Sequence, residues 1–294
     1  MTDRSTEAHH PASAGLHLAG AEDVMARLLA AQTAALAAVG PAIPALVRAA
    51  EASAAALGAG QRMAYAGAGS SGIMALADCL ELLGTFGIPA RQTPMLFAGG
   101  AEALLRMTGA VEDDPARARA DLDRAGVGAG DVVICVSASG GTPYTLAVAD
   151  LARDAGAVVV GLANVAGAPL LGRCDIAVLL ETGAEVIAGS TRLGAATAQK
   201  VALNLMSVLV GIRLGHVHDG YMLNLIADNA KLIDRAARIV AALADVPRAR
   251  ATEALQRTAG AVKPAVLVAR GMTPDAAAAA LRATNGVLGP VLAD

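Results

Sequence analysis

Apolar and polar positions along this chain follow two different spacings. Short runs with little polar interruption lie at Met63-Ala64-Tyr65-Ala66, Val132-Val133-Ile134-Cys135-Val136 and Val158 to Ala163. Longer stretches between them repeat apolar residues at helical intervals. Read in order, the pattern predicts an irregular arm over 1–20 and helix over 21–57, broken near Gly40-Pro41. A turn at 58–61 leads to a strand over 62–66. A helix over 71–83 follows, with Ile73, Leu76, Ala77 and Leu80 as its apolar face. A second strand is expected over 90–96. Helix covers most of 99–125, with an acidic interruption at Glu112-Asp113-Asp114-Pro115. A strand over 131–136, a helix over 142–155, a strand over 158–163 and a strand over 176–180 complete the pattern. The run at 132–136 has no polar alternation, which predicts burial on both faces, as in a parallel sheet. Strands alternating with helices in this way predict a doubly wound, mainly parallel α/β sheet flanked by helices.

Beyond the sheet the pattern is helical. A long buried helix is predicted over 197–214 and a more charged one over 224–243. After Asp245-Val246-Pro247 come short helical patterns separated by Gly260, Gly271-Met272-Thr273-Pro274 and Asn285-Gly286. Thr273 before Pro274 reads as a helix start, with proline at the first helical position. The expected organisation is an arm and helices over 1–50, a main domain over 51–220, a connecting helix over 221–244 and a small helical domain over 245–294.

Candidate chemistry gathers in two loops, each after an apolar run. They are Gly67-Ala68-Gly69-Ser70-Ser71-Gly72 and Ser137-Ala138-Ser139-Gly140-Gly141-Thr142. A strand that ends in such a loop before a helix aims backbone N–H groups and hydroxyls at one point, which suits a phosphate. Gly67, Gly69 and Gly72 also satisfy a dinucleotide fingerprint. That site needs an acidic residue at the end of the next strand, and Ala90-Arg91-Gln92-Thr93 offers none. Either loop alone is also readable as an ordinary tight turn. The repeated serine chemistry favours one monophosphate held by both, which implies a sugar-phosphate pocket.

Bulk properties narrow the field. Of 294 residues, 55% are hydrophobic, enough for a full core. Aromatics are 2% and Trp is absent, which argues against base stacking as the main binding mode. The net charge of -3 supplies no basic field for nucleic acid or an anionic membrane. Cys79, Cys135 and Cys174 are widely spaced and read as free thiols of a reducing compartment. Residues 1–11 lack the apolar core of a signal peptide. The longest apolar helix candidate, 201–212, is too short to span a bilayer and ends at Arg213. A cytoplasmic protein is expected. His216 and His218 read as surface residues of a connecting loop, with no third metal ligand in view.

The loops, with Ser139-Gly140-Gly141-Thr142-Pro143-Tyr144, resemble the phosphate loops of sugar isomerase (SIS) domains, and most closely those of the N-acetylmuramic acid 6-phosphate etherases. Thr6-Glu7 with Pro11, Ser13 and Leu16 resembles that family's amino-terminal signature, with His10 in place of its usual Asn. Glu81 with Thr85-Phe86-Gly87, and Ala98-Gly99-Gly100 leading to Glu112-Asp113, occupy the segments of its two catalytic glutamates. Glu185-Val186, Gly189-Ser190-Thr191-Arg192 and Thr197-Ala198-Gln199-Lys200 resemble its diagnostic stretch, and Asn229, Lys231-Leu232 and Arg235 follow in register. Ile73, Gly141 and Gly194 stand where the family usually has Arg, Arg and Lys. Charge-assisted bonds are about twice as strong as neutral ones, so this lost charge bears on anion binding.

The resemblance implies an SIS-type sheet, a homodimer with pockets near the interface, and cleavage of a D-lactyl ether at C3 of a 6-phosphorylated amino sugar by elimination and hydration, with no metal or redox cofactor. It implies Glu112 as the base at C2 and Glu81 as the acid toward lactate. The apolar stretch Leu80-Glu81-Leu82-Leu83 is expected to keep Glu81 protonated. The expected substrate contacts are Gly69, Ser70, Ser71, Ser137, Ser139, Gly140, Thr142, Glu185 and Ser190. Glu185 is expected either to bind the sugar or to orient a neighbouring chain segment. Two other activities fit the same loops: a sugar-phosphate isomerase, and a non-catalytic sugar-phosphate sensor like the related glucokinase regulatory proteins. Retention of both glutamates favours the lyase.

Overall fold

A computed structural model describes residues 5–107, 109–227 and 229–293. Its chain forms two compact units, Met1–Cys79 with Arg91–Leu209, and Leu80–Ala90 with Val210–Asp294.

The first unit is built on a five-stranded parallel sheet. Its strands are β1 (Met63–Gly67), β2 (Met95–Phe97), β3 (Val132–Val136), β4 (Val158–Ala163) and β5 (Ile176–Leu179), in the order β2-β1-β3-β4-β5. Registers such as Tyr65 beside Ile134 and Ile134 beside Val160 align the central strands. Every residue of β1 and β3 is buried, as the unalternating apolar runs predict. One set of alternating side chains, Ala64, Ala66, Val133, Cys135 and Val159, packs on α5 (Ala116–Ala125) and α6 (Pro143–Asp154) through Ala118, Leu122, Tyr144, Val148 and Ala152. On the opposite face Tyr65 reaches α3 (Gly69–Phe86), where its hydroxyl donates to Asp78 at 2.7 Å.

Asp78 is a buried carboxylate and a joint of the fold. Besides Tyr65 it accepts Asn204 Nδ2 at 2.7 Å and Ser207 Oγ at 2.9 Å, both from α7 (Gly194–Arg213). This network overturns the expected apolar face of α3. The helix buries Ser71, Ala75, Asp78, Cys79 and Leu82, whereas Leu80 is 69% exposed. A satisfied carboxylate occupies a core position there, so apolar periodicity points to the wrong stripe. The expected strand over 90–96 is also corrected. Ala90–Gln92 is a 3₁₀ turn, and the Gln92 amide donates to the carbonyls of Leu57 and Gln61. Only Met95–Phe97 joins the sheet.

Helices α1 (Ala21–Ala35) and α2 (Val39–Gly58) precede the sheet, and α4 (Gly100–Leu105) follows β2. α7 begins at Gly194 and runs for 20 residues, so the expectation of an apolar helix too short to cross a membrane does not hold. By length and composition both α7 and the stretch Ala21–Gly58 suffice; 56% of the α7 window is buried, as in a core helix, against 22% for Ala21–Gly58.

The second unit contains a small antiparallel hairpin, β6 (Val217–His218) with β7 (Tyr221–Met222), ahead of the predicted 224–243 helix, which starts later than expected. That helix, α8 (Ala230–Ala244), starts after Asn229, whose side chain caps Leu232 N. α9 (Arg248–Arg257), α10 (Val262–Ala269), α11 (Pro274–Ala283) and α12 (Leu288–Ala293) follow. Val240, Ala251, Val266, Ala277 and Leu288 share one core, so α8 packs with the terminal helices. Thr273 caps α11 through Ala276 N, as its place before Pro274 predicts.

His216 departs from its surface reading. Its Nδ1 is buried without a partner among the described residues, and desolvation, with the Lys263 charge, lowers its pKa to about 4. Lys263 donates to Gly286 O at 2.7 Å, and burial lowers its pKa to about 8.

Candidate active site

The strand order β2-β1-β3-β4-β5 reverses between β1 and β3, and ligands of open parallel sheets bind at that reversal, beyond the carboxyl ends of the strands. The two hydroxyl-rich loops follow these two strands. A cavity of about 280 Å³ opens there, lined by Ala68, Gly69, Ser70 and Ser71 of the first loop and Ser137, Ala138, Ser139 and Thr142 of the second. Glu112 and Met107 line it from the segment before α5, and Thr6, Glu7, Gly189 and Thr191 complete the wall.

Close backbone approach shapes the first loop. A Cβ on Gly67 would sit 3.0 Å from Gly72 Cα, and one on Gly72 would meet Phe97 at 2.7 Å. α3 therefore starts directly against the end of β1. Its first turn leaves N–H groups without intrahelical acceptors, at the positive end of an 18-residue helix. The second loop closes on itself. Ser137 Oγ lies 2.9 Å from Thr142 Oγ1 and accepts Gly140 N at 3.1 Å, while Ser139 Oγ accepts Gly141 N at 3.2 Å. Ser71 Oγ accepts Ala138 N at 3.1 Å and ties the two loops together. Each bonded hydroxyl keeps further hydrogen-bonding capacity for a ligand oxygen. Among the described residues lining the cavity there is no lysine or arginine. The groups available to an anion here are N–H groups, hydroxyls and a helix terminus.

Glu112 faces this anchor rather than bulk solvent. Gly69 has φ +54°, and a Cβ there would lie 2.6 Å from Glu112 Oε1. The backbone is fixed at both ends: Glu112 N donates to Gly109 O at 3.0 Å, and Tyr144 N donates to Glu112 O at 3.0 Å. Asp113 is exposed, whereas Asp114 caps Ala116 N at the start of α5. Partial burial, reinforced by the charge of Asp113, raises the Glu112 pKa above the usual carboxyl value. A carboxylate with a raised pKa is a stronger base.

Other expected site residues lie elsewhere. Glu185 is buried, and its oxygens accept Gly194 N at 2.9 Å and Ala195 N at 2.8 Å, so it caps α7 and orients the chain. Gly140, with φ +60°, packs where a Cβ would meet Ala168 Cβ at 2.5 Å; it shapes the loop and does not line the cavity. Ser190 stands between two lining residues, Gly189 and Thr191, without lining it. Glu81 is not among the lining residues and is exposed on α3, beside exposed Leu80, so the apolar surroundings expected from its neighbours are not present in the single chain. Thr6, Glu7, Met107, Gly189 and Thr191 were not among the expected contacts, although Thr6-Glu7 and Gly189 to Arg192 stood out as family segments.

A larger cavity of about 600 Å³ lies in the helical unit, between α8 and α9, lined largely by Ala230, Ile233, Ala237 and Leu255. Its charged residues, Asp234 and Arg248, bond to each other and offer no comparable chemistry.

The parallel sheet with paired hydroxyl loops at its reversal point defines an SIS-type sugar-phosphate protein, and the SIS domain profile matches residues 22–164. The fold is shared with a phosphoheptose isomerase from Francisella tularensis (TM-score 0.51, 18% identity, covering 65% of this chain and 97% of that one). An Escherichia coli CFT073 protein, solved as a complex, shares it too (TM-score 0.50, 18% identity, 69% and 97%). Sequence similarity goes further. The chain is 42% identical to an N-acetylmuramic acid 6-phosphate etherase of Deinococcus radiodurans, covering 100% of this chain and 97% of the relative. It is 37% identical to that of Edwardsiella ictaluri, over 98% and 96%. The chain belongs to the N-acetylmuramic acid 6-phosphate etherase family.

Proposed function

We propose that this protein cleaves the D-lactyl ether of N-acetylmuramic acid 6-phosphate to give N-acetylglucosamine 6-phosphate and D-lactate. The observation that carries this reading is the Glu112 carboxylate, set over Gly69 at the mouth of the two phosphate loops. The loops hold the 6-phosphate through N–H groups and hydroxyls. In the ring-opened sugar the C1 aldehyde acidifies the C2 proton. Glu112 removes that proton, the C3–O bond breaks, and lactate leaves as its oxygen is protonated. Water then adds at C3 and a proton returns to C2. The raised pKa of Glu112 fits its part as base.

Family correspondence supplies the acid toward lactate, Glu81. We propose a homodimer, in which a second copy covers surfaces left apolar in the single chain. Met25 and Leu29 of α1 and Leu205 and Val208 of α7 are exposed, and large uncovered apolar surfaces mark association. A phosphorylated amino sugar as substrate fits a cytoplasmic enzyme. The test is incubation of the purified protein with N-acetylmuramic acid 6-phosphate in heavy-oxygen water. Free lactate with label at C3 of the sugar is expected. Binding without turnover supports a sensor and overturns the lyase, while lactate release with an unlabelled sugar overturns the elimination route.

A further inference from the structure

The cavity contains a second carboxylate with no assigned work. Glu7 lines it from the amino-terminal arm, together with Glu112. The arm is fastened to the wall on both sides of this residue. Thr6 is 1% exposed, and its carbonyl accepts Gly189 N at 3.0 Å. Ser13 Oγ donates to Val186 O at 2.5 Å. Gly189, at φ +72°, makes room for the side chain: a Cβ there would lie 2.6 Å from Glu7 Oε2. Glu7 is exposed at the cavity wall, and among the described residues no hydrogen-bond donor or cation engages its carboxylate, so its acceptor capacity is open to a ligand there.

Most other polar groups of the cavity, the loop hydroxyls and N–H groups, suit phosphate oxygens. Glu112 is occupied with the C2 proton. We infer that Glu7 is a specificity-determining residue, accepting hydrogen bonds from the hydroxyl or amide donors of the sugar itself and not from its phosphate. This rests on the sugar-phosphate reading of the site and extends it to the far end of the ligand. A carboxylate repels a free phosphate and binds a polyol. Glu7 therefore separates sugar phosphates from the inorganic anion that the loops alone accept.

The test measures binding of N-acetylglucosamine 6-phosphate and of inorganic phosphate by calorimetry, beside kcat and KM on the lactyl sugar phosphate, for wild type, Glu7→Gln and Glu7→Asp. Loss of one charge-assisted bond weakens sugar-phosphate binding by about 10- to 100-fold in Glu7→Gln, mainly through KM. Phosphate binding is expected to stay the same or tighten. Glu7→Asp keeps the charge and is expected to fall between wild type and Glu7→Gln. Sugar-phosphate affinity within twofold of wild type in both variants overturns the inference. So does an equal loss for both ligands, which marks Glu7 as a support of the loops. If wild type binds the sugar phosphate but releases no lactate, the etherase reading fails while the Glu7 comparison still stands or falls on binding. A wild type that binds neither ligand sinks both.

Discussion

The β1–α3 and β3–α6 loops share a vocabulary of glycine and serine and differ in what holds them in shape. The first is held by contact: Gly67 and Gly72 press strand against helix, and Gly69 lies under the Glu112 carboxylate. The second is held by its own hydroxyls, with Ser137 bonded to both Thr142 and Gly140 N, while Pro143 at the first helical position of α6 has no N–H to offer. The first loop therefore presents a helix terminus to the ligand, and the second presents side-chain oxygens. Similar composition conceals a division between positioning the reaction and completing the anion cradle.

This division can be broken most severely at Glu112. Glu112→Gln keeps the shape and removes the base, and kcat is expected to fall about 10²- to 10⁴-fold. Solvent exchange of the C2 proton, followed by NMR, should disappear with it.

The glycines sharpen the contrast. Gly69→Ala strains the backbone at φ +54°, as Gly140→Ala does at φ +60°, but its methyl meets the movable end of Glu112, so its distinguishing cost is kinetic, about 10²-fold in kcat for a displaced base. Gly140→Ala drives a methyl into Ala168 and Ala163, and overpacking of this kind costs about 1–3 kcal/mol. A lowered Tm is its expected signature. Equal thermal losses in the two variants would remove the distinction.

The smallest effect is in pH. Glu112 titrates above a usual carboxyl because of burial and Asp113, so the acid limb of kcat/KM should lie higher than an unperturbed glutamate gives. Its folded pKa exceeds the unfolded one, so its contribution to stability is present at low pH and is lost as pH rises through the folded value. His216 has the opposite sign. Its pKa is lowered from 6.5 to about 4, so stability is lost as pH falls from about 6.5 toward 4. Urea unfolding at pH 7 and pH 5 should show this loss, and His216→Gln should reduce it.

Local pattern carried most of this architecture. The runs at 63–66 and 132–136 read as strands buried on both faces because no polar residue interrupts them, and the structure buries every residue of β1 and β3. The loops were legible because their residues are contiguous. What escaped depends on distant partners. Nothing local marks Asp78 as a core residue; Tyr65, Asn204 and Ser207, distant in the chain, satisfy it there. Glu185 reads either as a sugar contact or as a support for a neighbouring segment, and only its two oxygens on the backbone of α7 decide for the support. Glu7 reached the cavity through pairing of the arm with Gly189, which no local periodicity encodes. The hairpin at 217–222 has strands of two residues each, too short to show an alternation.

One bond reaches past its own neighbourhood. Because the Ser71 hydroxyl takes the Ala138 amide at 3.1 Å, the two halves of the cradle are pinned to each other beyond the pairing of their strands. A change that rotates one half is therefore expected to disturb the other as well.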